Sequence, residues 1–139
     1  MAKQGGIGMS VTVDNAAGAG KDISNDITSC SFKTPRGIQD ITGLSSAGVE
    51  RLLLLADGEV TFNGVFNTAT DKSHDVFKSV PTQSGTGTGS TRTVVIVVGG
   101  KTLTLEVVFT DYALTRGADG SFTWSVTGSL ADGVAPSWS

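Results

Sequence analysis

Thr93-Val94-Val95-Ile96-Val97-Val98-Gly99-Gly100-Lys101-Thr102-Leu103-Thr104-Leu105-Glu106-Val107-Val108-Phe109 is the stretch that decides the fold. Its first part is an unbroken apolar, β-branched run. Gly99-Gly100 follows, two residues that both accept positive φ and so suit a two-residue hairpin turn. The strand after the turn runs from Lys101 to Leu114 and alternates. Leu103, Leu105, Val107 and Phe109 fall on one face, Thr104, Glu106 and Thr110 on the other. A second turn, Gly117-Ala118-Asp119-Gly120, leads into a third strand over 121–128. There Phe122, Trp124 and Val126 face one way, and Ser121, Thr123, Ser125 and Thr127 the other. An antiparallel meander with one apolar face and one Ser/Thr face is a building surface that carries little chemistry. The Ser/Thr face is either ordinary solvated sheet or a surface that meets neighbouring subunits or lines a wet channel.

Outward from this stretch, the chain predicts more strands. Ile7, Met9, Val11 and Val13 share a face of a first strand over 7–14. A second, twisted strand covers 22–33 and ends at Cys30 and Phe32. Thr34-Pro35-Arg36-Gly37 interrupts it, since proline cannot donate in mid-sheet, and Ile38 to Leu44 resumes. Ser45 to Leu55 fits two patterns: Val49, Leu52, Leu53 and Ala56 match helical spacing, yet four successive leucines also suit a short extended segment. We read it as an irregular loop with one helical turn. Asp57-Gly58 is a turn, and Glu59 to Phe66 a strand. The spacing predicts a helix over 70–80, capped by Thr70 or Asp71, buried through Val76, Phe77 and Val80, and stopped by Pro81. Residues 82–91 are a flexible loop, 1–6 an N-terminal arm and 130–139 a C-terminal arm anchored by Trp138.

The 139 residues are expected to form a single domain over 1–139. Nineteen glycines and a hydrophobic share of 38% point to many turns around a small core. The formal net charge of −3, with the ten Lys and Arg scattered, argues against a nucleic-acid grip, which needs a clustered basic surface. It remains compatible with a conduit, where sticking is a fault. The apolar runs are far short of the ~20 residues that span a bilayer, so no membrane partner is expected. No apolar leader is legible after Met1.

Enzymatic chemistry finds little support. Gly18-Ala19-Gly20-Lys21-Asp22 lacks the first glycine and the Ser/Thr of a phosphate loop. The lone His74 sits on the polar side of its expected helix, beside Asp71 and Asp75, and reads as a solvated residue rather than a base. Zinc sites almost always draw on several His or Cys ligands, and this chain has one of each. Cys30 reads as a small core filler. No catalytic residue, metal or cofactor is expected.

Asp57-Gly58-Glu59-Val60-Thr61-Phe62-Asn63-Gly64-Val65-Phe66-Asn67 resembles the middle of tail tube proteins from long-tailed phages, as does Ser73-His74-Asp75-Val76-Phe77. The likeness continues through Phe109-Thr110-Asp111-Tyr112. Its most specific piece is the terminal block from Trp124-Ser125-Val126 to Leu130-Ala131-Asp132-Gly133. The chain is most similar to major tail proteins of siphophage-like actinobacterial phages, over about residues 7 to 138.

The resemblance implies a mainly β fold: an antiparallel β-sandwich or partly rolled barrel with one flanking α-helix. It implies a structural virion protein located in the virion tail and made in the host cytoplasm. Six subunits would join sheets edge to edge into a ring, and rings would stack into a tube through which double-stranded DNA leaves the capsid. Its partners would be itself, a tape measure protein, and tail terminator and tip proteins. Within that picture Glu106, Glu59 and Asp119 are candidates to face the lumen. Gly43, Val49, Leu52, Leu53, Leu54, Leu55 and Trp138 are candidates for ring stacking, together with the N-terminal arm. The rival reading is a carbohydrate- or receptor-binding β-sandwich of a tail tip, which wants exposed aromatics; Trp138 and Tyr112 are the candidates.

Overall fold

The computed structural model describes residues 3–139; positions 1 and 2 of the expected N-terminal arm lie outside it. Ten strands occur in chain order: β1 (Ser10–Asp14), β2 (Gly20–Asp22), β3 (Ile27–Lys33), β4 (Arg36–Asp40), β5 (Arg51–Ala56), β6 (Glu59–Val65), β7 (Arg92–Val98), β8 (Lys101–Arg116), β9 (Phe122–Leu130) and β10 (Ser137–Trp138). A single α-helix, α1 (Ser73–Phe77), lies between β6 and β7. Eight strands form one antiparallel sheet in the order β2-β1-β7-β8-β9-β6-β3, with β10 added beside β8; β4 and β5 make a separate hairpin. The fold is therefore mainly β with one short flanking helix.

The meander read from sequence is the centre of the sheet. Gly99 and Gly100 both have positive φ, 58° and 77°, which is the backbone a two-residue turn requires to match strand twist. β7 pairs with β8 from Val98↔Lys101 to Arg92↔Val107, and β8 then pairs with β9 from Val107↔Leu130 to Arg116↔Phe122. β8 is thus shared by two half-sheets. Its first half lies between β7 and β10, while its far half borders β9 alone.

The two ends of the sheet are drawn together at the corner between β2 and β3. Val11 N–H donates to the Ser24 hydroxyl at 2.8 Å, and Ile23 N–H donates to Val11 O at 3.1 Å. Asp22 accepts from the backbone and the hydroxyl of Ser24, which hold its carboxyl below the usual range. The sheet is consequently rolled around one core. Val11, Val13, Val94, Ile96, Leu103 and Leu105 enter it from one half, Val60, Phe62, Trp124 and Val126 from the other, and Val76 and Phe77 from α1. Each such side chain contributes about 1.5–3 kcal/mol on burial, so the rolled sheet needs no disulfide; Cys30, half-buried against this core, is free.

Several sequence expectations are corrected. The helix expected over 70–80 is confined to Ser73–Phe77, followed by a 3-10 turn at Val80–Thr82 that contains Pro81. Neither Thr70 nor Asp71 caps it. The buried carboxylate of Asp26, distant in sequence, accepts the Ser73 N–H at 2.9 Å and Asn67 Nδ2 at 2.9 Å. At the other end the buried Arg92 guanidinium donates to Val76 O and to the Ser79 hydroxyl. A helix this short cannot stand on propensity; it is tied at one end by the turn that carries Asp26 and at the other by Arg92 of β7.

The segment read as an irregular loop over 45–55 contains β5, paired to β4 through Ile38↔Leu53, Gln39↔Leu52 and Asp40↔Arg51. The first strand begins at Ser10, leaving Ile7 fully exposed, and the expected strand over 22–33 is broken by a 3-10 turn at Ser24–Asp26. The stretch expected as a C-terminal arm returns to the sheet, where Thr102 and Ser139 exchange backbone hydrogen bonds.

Two predictions follow from the core. Gly64 faces the Asp26 carbonyl and the Trp124 ring, both of which an added methyl would strike. Gly64→Ala is expected to cost about 1–3 kcal/mol or more, measured as a lowered urea midpoint. The second concerns Tyr112, whose hydroxyl burial pushes up from 10.0 to about 12. The folded state keeps the phenol protonated, so its contribution is complete below the ordinary value and is lost as pH rises through the window from 10.0 to about 12. Tyr112→Phe should flatten the alkaline fall in melting temperature across that window.

Candidate assembly surfaces

The outward face of the far half-sheet is a wall of short polar side chains. Strand register lays it out in rows. Ala113, Ser125, Asn63 and Ser29 stand side by side across β8, β9, β6 and β3, and the next row is Asp111, Thr127, Thr61 and Ser31. A third row carries Val108, Ser129, Glu59 and Lys33. Alternation predicts this face for β9 and β6. On β8 it does not, because a bulge between Phe109 and Asp111 adds one residue and exchanges the faces beyond it. Asp111 therefore joins the polar wall, while Tyr112 turns inward against the core. Reading the alternation straight through Thr110 hides Asp111; no local composition marks the bulge.

The three lumen candidates fall in different places. Glu59 is on the wall, 3.7 Å from Lys33 Nζ. Glu106 is on the first half of β8, half-buried, accepting the Thr93 hydroxyl at 2.7 Å, beside a recess roofed by Asp132, Val134 and Ala135. Asp119 is in the β8–β9 turn, where the Ser121 N–H and hydroxyl hold its carboxyl below the usual range. They do not form one site.

The second surface is the β4–β5 hairpin. Its root is fixed: Arg36 donates through Nε and Nη2 to Leu54 O at 3.0 and 2.7 Å, and Asp57 N–H donates to Pro35 O at 2.9 Å. Its tip is closed by Asp40, Thr42, Ser46 and Glu50 hydrogen bonding among themselves. Between these ends Leu52, Leu53, Leu54 and Leu55 are all exposed, Leu55 at 89%, as are Val49, Ile38 and Ile41. Ile38 and Leu53 are cross-strand partners, and Leu52 occupies the other face beside Gln39. Both faces are thus apolar and open. A lone two-stranded hairpin is marginal in water, and a patch of this kind marks a partner surface. Gly43 stands at the open tip with no neighbour near its Cα substituent position. The sequence reading places Ile38 and Ile41 within a resumed strand and not among the stacking candidates, although their exposed β-branched side chains belong to the same apolar surface.

Trp138 follows the segment whose Gly133, Ala135 and Pro136 line a groove with Leu54 and Leu55 of the hairpin. It is half exposed, pairs with Leu103 through β10 and sits 6.1 Å from the Phe32 ring. His74, expected on a solvated helix face, instead tilts against Phe66 at 4.8 Å and places Nδ1 3.1 Å from the Tyr112 hydroxyl. Neither Asp71 nor Asp75 pairs with it: Asp75 binds Lys78 at 2.7 Å and Asp71 binds Lys21 at 3.4 Å. The imidazole is an element of aromatic packing.

The third feature is the pattern of strand borders. Among the described residues, β8 beyond Val107 has no strand on the side that β7 occupied, and β3 pairs with β6 alone. Both are borders of the polar-walled half. The other half ends in the three-residue β2 and the two-residue β10.

No protein-family model matches the sequence, and no curated protein sequence matches it. Solved structures do. The tail of an empty gene transfer agent particle, refined with helical C6 symmetry, matches with a TM-score of 0.74 at 16% identity over 99% of both chains. The virion of the native gene transfer agent matches with a TM-score of 0.72 at 16% identity, again over 99% of both. The six-fold symmetrised baseplate of the anti-feeding prophage matches with a TM-score of 0.60 at 14% identity, over 94% of this chain and 91% of the other. At such identities the likeness establishes the fold, and it does so across the whole chain.

Removing the Arg36 clasp should loosen the hairpin alone. Arg36→Ala is expected to speed amide exchange across β4 and β5 while leaving β7–β9 protection unchanged; uniform loss of protection would show that the clasp supports the core instead.

Proposed function

We propose that this chain is a structural subunit of a tail tube, in which six copies close into a ring and rings stack into a conduit for double-stranded DNA. The observation that carries this reading is the β4–β5 hairpin, whose four leucines are exposed on both of its faces. A protein that works as a monomer rarely keeps such a hairpin. The fold it shares with chains in C6-symmetric tail particles supplies a symmetry in which copies would cover it. A head-to-tail contact repeated by rotation closes into a ring.

In this reading Gly43, Val49 and Leu52 to Leu55 sit between stacked rings, and Trp138 contributes at the base of the sheet. The subunit does no catalysis. Tape measure, terminator and tip proteins would be its partners, and the virion tail its location. The sequence resemblance to major tail proteins of long-tailed actinobacterial phages points to that kind of particle.

Purified protein at high concentration should form six-fold rings or tubes in negative stain. A strictly monomeric species under assembling conditions would refute the proposal. Leu53→Asp combined with Leu55→Asp should abolish tubes while shifting the monomer's unfolding by no more than about 0.5 kcal/mol, because both side chains are solvent-exposed.

A further inference from the structure

The fold offers two outward faces, one on each half-sheet, and each contains polar residues. The strand borders separate them. The half formed by β1, β2, β7, β10 and the first half of β8 ends in two- and three-residue strands, the short edges with which proteins block further pairing. The other half ends in β3 on one side and in β8 from Val108 to Arg116 on the other, each with one long edge that no strand pairs among the described residues. These borders carry no proline, and a native protein rarely leaves such edges open.

Strand direction adds a second constraint. β8, β9, β6 and β3 are successively antiparallel, so β8 and β3 run in opposite senses. Rotation about a tube axis preserves each strand's sense along that axis. It therefore brings β3 of one copy beside β8 of the next as a further antiparallel pair, with no break in the alternation. An odd number of strands would have forced a parallel pair at every junction.

Resting on the tube reading above, we infer that the polar wall of β3, β6, β9 and the far half of β8 lines the bore, and that Asp111 sets its charge. Lys33 and Glu59 on this wall are within 3.7 Å and offset each other. Asp111 forms no ion pair among the described residues and is exposed. Repeated by rotation, it makes a ring of carboxylates among Ser and Thr hydroxyls. That surface keeps its water and repels phosphates, so it suits a polyanion in transit. Glu106, on the blocked half, lies outside the bore.

The test uses assembled tubes of a Cys30→Ala chain carrying one new cysteine, either Asp111→Cys or Thr104→Cys, the latter exposed on the blocked half. Each is treated with a small maleimide and with a maleimide on a polymer too bulky to enter the tube. Thr104→Cys should react with both reagents, and Asp111→Cys with the small one alone. Reaction of Asp111→Cys with both, or protection of Thr104→Cys from the bulky reagent, would overturn the assignment. If Asp111→Cys impairs assembly, Thr127→Cys in the same row gives the same decision. Failure of the unsubstituted chain to form tubes is a separate result, which sinks the tube reading and this inference with it.

Discussion

One continuous sheet serves both layers of this protein, and β8 is the strand that makes this possible. It pairs with β7 along its first half and with β9 along its second, so the sheet turns without a break in its backbone ladder. The bulge at the middle of β8 adds the bend and twist that a rolled sheet needs. Everything else depends on that turn. The β2–β3 corner meets β1 through Ser24 because the sheet has come around, and α1 finds Asp26 and Arg92 at its ends for the same reason. The core is the inside of the roll.

This construction leaves a specific remainder. A sheet that closed fully on itself would have no borders. Here the roll stops short, with one edge of β3 and one edge of the far half of β8 lacking a strand partner among the described residues, and a two-stranded hairpin carries exposed leucines on both faces. Open strand edges and open apolar surface are each liabilities, and in the proposed tube both would be relieved by the same event, contact with further copies. The Ser/Thr wall between the open borders has no such deficit. Its hydroxyls are exposed or half-exposed and so stay open to solvent.

The carboxylates illustrate how position assigns roles to like groups. Asp26 is buried and spends both oxygens on α1 and Asn67. Asp22 and Asp119 shape turns by accepting from serine two residues on. Glu106 is engaged by Thr93, and Glu59 faces Lys33. Asp111 alone is placed by a bulge onto an open polar wall.

The sequence by itself determined the mainly β class, the β7–β8–β9 meander and the inward residues of β6, because period-two alternation and Gly-Gly turns are local signals. It also marked Leu52 to Leu55 as unusual. Tertiary structure decided what local signals do not encode. The helix expected over 70–80 is confined to Ser73–Phe77, where its end groups Asp26 and Arg92 arrive from a distant 3-10 turn and from β7 rather than from Thr70 or Asp71. The leucine run became a strand because Ile38 to Asp40 supplied a partner ladder. Asp111 moved to the outer wall because one inserted residue exchanges every face beyond it, an event that alternation in the sequence cannot register and that only the pairing with β9 reveals.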